Sequence, residues 1–88
     1  MPTSTKPIKL YILRCRDNSL YTGITTDIDE RLRAHNTGKG AKYTRARLPV
    51  NLVYTEQCGS RSLALKREWQ IKRWNKQKKE AFVKASSQ

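Results

Sequence analysis

Eighty-eight residues suffice for one small domain, in which two or three layers around a short sheet exhaust the core that can be buried. Lys and Arg number 19 against 7 Asp and Glu, a net charge of +12 spread along the chain, which favours a polyanion: nucleic acid first, an anionic membrane surface second. Two cysteines without a C-x-x-C and one histidine argue against a zinc site. The N-terminal stretch lacks an apolar signal region and no segment approaches a membrane span, so the expected location is cytoplasmic, with both thiols reduced.

Residues 1–7, with two prolines and no apolar residue after Met1, read as a disordered lead-in to a single domain over 8–85, followed by a tail at 86–88. Lys9 to Cys15 is the first strand. Leu10 and Ile12 line one face and Tyr11 and Leu13 the other, the pattern of a strand covered on both sides. Asp17-Asn18-Ser19 is turn chemistry, and the strand Leu20 to Ile24 completes an antiparallel hairpin that puts Tyr11 and Tyr21 on adjacent strands. Gly23 permits close approach of another group.

A helix follows from Asp27 to Asn36. Asp27 is its N-cap, Glu30 completes a capping-box pair, and Gly38 stops it. At about 100° per residue, Ile28 and Leu32 define the apolar face, and Arg31 and His35 fall on that same face. A guanidinium there is seldom left alone. Either an internal carboxylate meets it, or the face borders a cleft that awaits an anion.

Thr37 to Pro49 is a basic loop with glycines for flexibility and a short helical turn. Val50 to Glu56 is the third strand, with Leu52 and Tyr54 on one face. A long helix spans Ser62 to Trp74, capped by Ser60 or Ser62. Its Glu68 sits in a broad apolar arc with Ala64, Leu65 and Ile71, as the expected counterpart of Arg31. Asn75 breaks or recaps the chain before a basic final helix, Lys76 to Ala85, packed through Ala81, Phe82 and Val83.

The ordered set Tyr11, Tyr21-Thr22-Gly23, Arg31, His35 and Glu68 resembles the GIY-YIG nuclease superfamily, with Lys9-Leu10-Tyr11 at the first signature tripeptide. The resemblance covers about residues 8–84 and looks closest to the small single-domain bacterial branch, related to the structure-specific branch whose motif also runs through R-x-x-x-H-N and G-A-K. It implies an α+β fold, a three-stranded antiparallel sheet flanked by helices, and a metal-dependent phosphodiesterase whose Tyr21, Arg31 and Glu68 line one cleft. Lys9 stands in place of the first glycine, and Ile24 stands where some repair-type relatives have lysine. Asn75 lies closer to Glu68 than the asparagine that closes the motif in larger relatives, and a helix cap explains it equally well.

Under that resemblance the expected catalytic set is Tyr11, Tyr21, Arg31, His35 and Glu68. Tyr21 deprotonates the attacking water or passes its proton onward, and Tyr11 holds the water or hydrogen-bonds within the site. Arg31 clamps the scissile phosphate, and His35 assists as acid, base or phosphate donor. The seven acids are scattered, which disfavours a two-metal design. One Mg²⁺ or Mn²⁺ on Glu68, with waters and substrate phosphate, suits what is available. Lys39, Lys42, Tyr43, Arg45, Arg47, Lys72 and Lys76 are the expected nucleic-acid contacts. Trp69 or Trp74 is available to stack on a base.

The expected function is therefore a metal-dependent DNA endonuclease. Larger relatives carry separate target-reading domains for which 88 residues leave no room, so the expected substrate is single-stranded or branched DNA. The alternative is a DNA- or RNA-binding module on the same scaffold that does not cut.

Overall fold

The computed structural model describes residues 7–86. Of the expected lead-in and tail, only Pro7 and Ser86 therefore fall among the described residues. Strands β1 (Ile8–Arg14), β2 (Leu20–Thr25) and β3 (Asn51–Cys58) form an antiparallel sheet in the order β2-β1-β3. Helices α1 (Ile28–Asn36) and α2 (Lys42–Arg45) separate β2 from β3, and α3 (Arg61–Lys72) and α4 (Lys76–Ser86) follow β3. The fold is the α+β arrangement expected from the sequence, and α2 is the short helical turn anticipated in the basic loop.

β1 is central because it alone is apolar on both faces, and the two faces nucleate separate cores. Leu10 and Ile12 pack with Ile71 of α3 and Val83 of α4, joined by Trp74 and Phe82. Tyr11, Leu13 and Cys15 pack with Val50, and Ile28 and Leu32 of α1 close over them. Arg14 ties α4 to β1 through a two-pronged ion pair with Glu80, at 2.5 and 2.8 Å. The Arg14 guanidinium holds the Glu80 carboxyl down at about 2.

Local chemistry sets the element ends. Asp27 caps α1 by accepting from the Glu30 amide at 3.1 Å. The capping box is only half made, because the Asp27 amide donates to Thr25 Oγ1 instead. Gly38, at φ +81°, ends α1 in a left-handed turn in which Lys39 N–H reaches the Ala34 carbonyl at 2.8 Å. Ser60 caps α3, and Asn75 caps α4 by accepting from the Lys78 amide at 2.8 Å. Asn75 thus has a structural duty at a helix start.

Three details differ from the expected packing. A bulge between Ile12 and Leu13 lets Tyr54 face Ile12 and Leu52 face Leu13, so Val53 is the extra residue and Leu52 and Tyr54 do not share a face. Tyr54 and Val53 pack on the first core, whereas Leu52 is exposed. Leu65 on α3 and Ala81 on α4 are also exposed, since each helix buries a narrower stripe than its apolar content suggested.

The end of α1 is clamped to the start of β3 by one side chain. Asn36 accepts from the buried Val50 amide at 2.7 Å and donates to the Val50 carbonyl at 3.1 Å. Asn36→Ala would leave both backbone groups unpaired. The expected loss is about 1–3 kcal/mol of stability, seen as a lower urea midpoint with the slope unchanged. An unchanged midpoint would show that the clamp carries no energy.

Candidate active site

The hairpin register pairs Tyr11 with Gly23 and Leu13 with Tyr21. Tyr11 and Tyr21 are therefore diagonal neighbours on one face of the sheet, with ring centroids 6.4 Å apart. α1 crosses that face and brings Arg31 and His35 down beside them. Arg31 Nε donates to the Tyr11 hydroxyl at 3.3 Å, and His35 Nε2 lies 2.9 Å from the same oxygen.

The partner of the inward guanidinium is thus a phenol. The expected Arg31–Glu68 ion pair is not made: the Glu68 carboxylate pairs with Lys72 one turn along α3, at 3.2 Å. Among the described residues, Arg31 spends only its Nε on the protein, so its two terminal nitrogens have no protein partner. The Tyr21 hydroxyl likewise makes no hydrogen bond to the described residues.

His35 is completely buried. Thr44 Oγ1 donates to the Ala41 carbonyl at 3.0 Å, so at 2.7 Å from His35 it accepts from Nδ1–H. The Ala41 amide, 3.5 Å from the same nitrogen, is too distant to compete. Nε2 then carries the lone pair, and Tyr11 donates its proton to it. His35 meets solvent on neither nitrogen and acts on the site through Tyr11. The expected role as a direct acid, base or phosphate donor does not fit this placement.

Two glycines make the packing possible. A Cβ at Gly23 would stand 2.5 Å from the Tyr11 hydroxyl, and one at Gly40 would stand 2.3 Å from His35 Nδ1. Gly40 belongs to the basic loop, where flexibility is the expected use of a glycine. Its absent side chain instead admits the imidazole.

Electrostatics follow from this burial. Desolvation pushes the Tyr11 phenol up from its ordinary value, and the hydrogen bond and positive charge of Arg31 offset part of that rise. The negative charge of Glu68 adds to the rise, which places that carboxylate within electrostatic reach of Tyr11. Burial pushes His35 down, and the Arg31 charge pushes it further.

Around this centre stand the expected nucleic-acid contacts. Tyr43 stacks on Tyr21 at 6.1 Å, and the Lys72 ammonium lies 5.6 Å from the Tyr21 ring centroid. Lys39, Lys42 and Arg45 are exposed. Arg47 is committed to the fold: it pairs with Asp17 at 3.0 Å, donates to the Tyr43 carbonyl at 2.8 Å and lies over the Tyr43 ring. Lys76 donates to the Asn18 carbonyl and pairs with Glu80. Thr44, Gly40 and Asn36 lie outside the expected site set. The only signal for Thr44 is the rule that a buried imidazole needs both nitrogens satisfied.

No group of three or more His, Cys, Asp and Glu capable of holding a metal occurs among the described residues. A single half-buried Glu68 fits an ion that keeps most of its shell as water and substrate oxygen, as Mg²⁺ does. No helix among the described residues is long and apolar enough to cross a membrane.

His35 is the chain's one histidine, so its titration can be isolated. Its native value lies below the ordinary imidazole value of about 6.5. The unfolded chain therefore binds a proton that the native state refuses, and stability must fall as pH drops through that region. Unfolding midpoints between pH 7.5 and 5.5 should decline in the parent protein and stay level in His35→Gln. Equal slopes in the two proteins would refute the neutral buried imidazole.

The model of the GIY-YIG catalytic domain matches residues 8–81. That domain is the unit of a nuclease superfamily that generally uses a divalent metal. A UPF0213 protein of Staphylococcus haemolyticus is 54% identical over 70 residues, covering 80% of this chain and 85% of its own. One of Streptococcus agalactiae is 51% identical over 78 residues, covering 89% of each. The solution NMR structure of the UPF0213 protein of Bacillus halodurans superposes with a TM-score of 0.60 at 45% identity, over 91% of this chain and 85% of that one. A second NMR structure, from E. faecalis, gives 0.63 at 41% identity, over 92% and 86%. With its signature tyrosines, Arg31 and Glu68 in one ordered set and the family match spanning nearly the whole domain, this chain belongs to the GIY-YIG superfamily, among the small single-domain UPF0213 proteins.

Proposed function

We propose that the protein is a metal-dependent DNA endonuclease that hydrolyses phosphodiester bonds at the cluster of Tyr21, Arg31 and Glu68, with single-stranded or branched DNA as the favoured substrate. One observation carries this reading. The Tyr21 hydroxyl and the terminal nitrogens of Arg31 are unengaged among the described residues, while every polar atom of the His35 and Tyr11 side chains behind them is committed.

The division of labour follows. Arg31 is held through Nε by Tyr11, so its remaining fork of donors is aimed by the protein before a phosphate arrives. Those donors take the non-bridging oxygens and stabilise the charge that builds on phosphorus. Tyr21 orients the attacking water and relays its proton, taking it onto the phenol oxygen as the hydroxyl's own proton passes to solvent. Tyr11 and His35 are positioning residues, since burial keeps both from solvent. Glu68 would hold Mg²⁺ or Mn²⁺, which when bound supplies Lewis-acid neutralisation of the phosphate charge. Lys72, already paired with Glu68, is within reach of the same phosphate once that carboxylate has another cation. Exposed Lys39, Lys42 and Arg45 draw the flanking backbone in.

The groups that would meet the scissile phosphate, Arg31, Tyr21 and Glu68, are all half-buried, which suits a flexible strand better than a rigid duplex. The free thiols of Cys15 and Cys58 accord with a reducing cytoplasm.

The test is cleavage of single-stranded, duplex and flap oligonucleotides with Mg²⁺, Mn²⁺ or EDTA. Cleavage should require the metal and favour the single-stranded and flap forms. Arg31→Ala should lower the rate by about 10²–10³ and Tyr21→Phe by about 10²–10⁴. Glu68→Ala should abolish product while salt-sensitive binding survives. A parent protein that binds every substrate and cuts none would leave the non-catalytic binding module as the correct reading.

A further inference from the structure

α3 delivers Glu68 to the site along one edge and leaves the neighbouring strip of its surface open. At about 100° per residue, Glu68 is followed around the helix by Lys72, Leu65, Trp69 and Arg73. Trp69 is 60% exposed and Leu65 is 49% exposed. The contrast with Trp74 is instructive: that ring packs on the first core, 5.2 Å from Phe82. Among the described residues Trp69 joins neither core and stacks on no other ring. Its partner is the Arg73 guanidinium, 4.5 Å from its centroid.

An indole left this open contributes nothing to the core, and its surroundings are cationic. Lys66, Lys72 and Arg73 flank it, all exposed. Trp69 also follows Glu68 directly in the chain, so their Cα atoms are about 3.8 Å apart. A strand with a phosphate at Arg31 and Glu68 therefore carries an adjacent base into reach of the indole. The shape, charge and position of this strip match a nucleobase attached to a phosphate backbone.

We infer that Trp69, with Leu65 beside it, is a stacking platform for an unpaired base next to the scissile phosphate, and so selects single-stranded over duplex DNA. This rests on the reading of Tyr21, Arg31 and Glu68 as the phosphate site and adds what chooses the form of the strand. Every base has a π-face, so the platform is indifferent to sequence, whereas a duplex hides those faces in its own stack. A lipid surface suits the strip poorly, because docking it would carry the Glu68 edge toward an apolar phase. A second copy suits it poorly too, because each chain brings a net charge of +12.

The experiment measures binding in EDTA, where cleavage plays no part, of fluorescein-labelled oligothymidine, of the same length of strand built from abasic residues, and of a blunt duplex. Trp69→Ala should weaken oligothymidine binding by about tenfold and leave duplex binding almost unchanged, and Trp69→Phe should restore most of the loss. On the abasic strand the parent protein and Trp69→Ala should bind alike. Circular dichroism melts report whether the variants remain folded. The inference is overturned if Trp69→Ala binds oligothymidine like the parent, weakens single strand and duplex by the same factor, or keeps its defect on the abasic strand. It is equally overturned if the variant loses only binding to phosphatidylglycerol vesicles or self-association in the ultracentrifuge. The nuclease reading fails separately, by absence of product from the parent protein in Mg²⁺ and Mn²⁺.

Discussion

The Tyr11 hydroxyl is the point on which the site depends. It donates to a buried imidazole and accepts from a half-buried guanidinium, so one oxygen joins the central strand to both site residues of α1. Among the described residues it is the one hydrogen-bond partner of the Arg31 side chain, and Tyr11 is one of the two side chains that hold the His35 ring, Thr44 being the other. Arg31 needs an acceptor to stay beside an apolar stripe, and His35 needs a donor for the nitrogen that Thr44 leaves unsatisfied. The phenol meets both needs with a neutral group. A carboxylate in its place would satisfy Arg31 by neutralising it, and would spend the charge that the phenol leaves available.

Burial of this network determines which groups remain for chemistry. Tyr11 and His35 are almost fully enclosed, and the proposed reading gives them the task of positioning. The groups left facing outward are the Tyr21 hydroxyl and the Arg31 terminal nitrogens, with Glu68 and Lys72 approaching from α3. The site is thus assembled from two layers of opposite character: a dry base that fixes positions, and a wet rim that carries unspent donors and acceptors. Tyr43, stacked on Tyr21 and braced by Arg47, extends that rim toward the basic loop.

The framework behind the site is economical in its fastenings. α1 is capped by Asp27 and closed by Gly38, and Asn36 then locks its end to Val50. These contacts set the axial position of the helix, and with it the reach of Arg31 and His35 toward β1. On the far face, α3 and α4 are held by Ile71, Val83 and the Arg14–Glu80 pair. Glu68 and Trp69 then lie about 100° apart around α3, Glu68 half-buried and Trp69 exposed beyond Lys72 and Leu65.

Much of this was legible in the sequence. The two-faced run Leu10-Tyr11-Ile12-Leu13 marks a central strand, and the turn residues Asp17-Asn18-Ser19 mark a hairpin that puts Tyr11 and Tyr21 on adjacent strands. The 3.6-residue period puts Arg31 and His35 on one face, and the caps mark the helix starts. All of these rest on contacts between residues close in the chain, where local geometry leaves few choices. What meets that face was beyond local reasoning. Period alone turned Arg31 inward, but only packing decided that a phenol from β1 meets it while Glu68 turns to Lys72. The same holds for Gly40, needed because an imidazole is pressed against it, and for Leu65 and Trp69, whose exposure depends on where the neighbouring elements end. A helical wheel gives direction without distance, and the width of the stripe that becomes buried is set by the partner surface, which comes from residues remote in sequence.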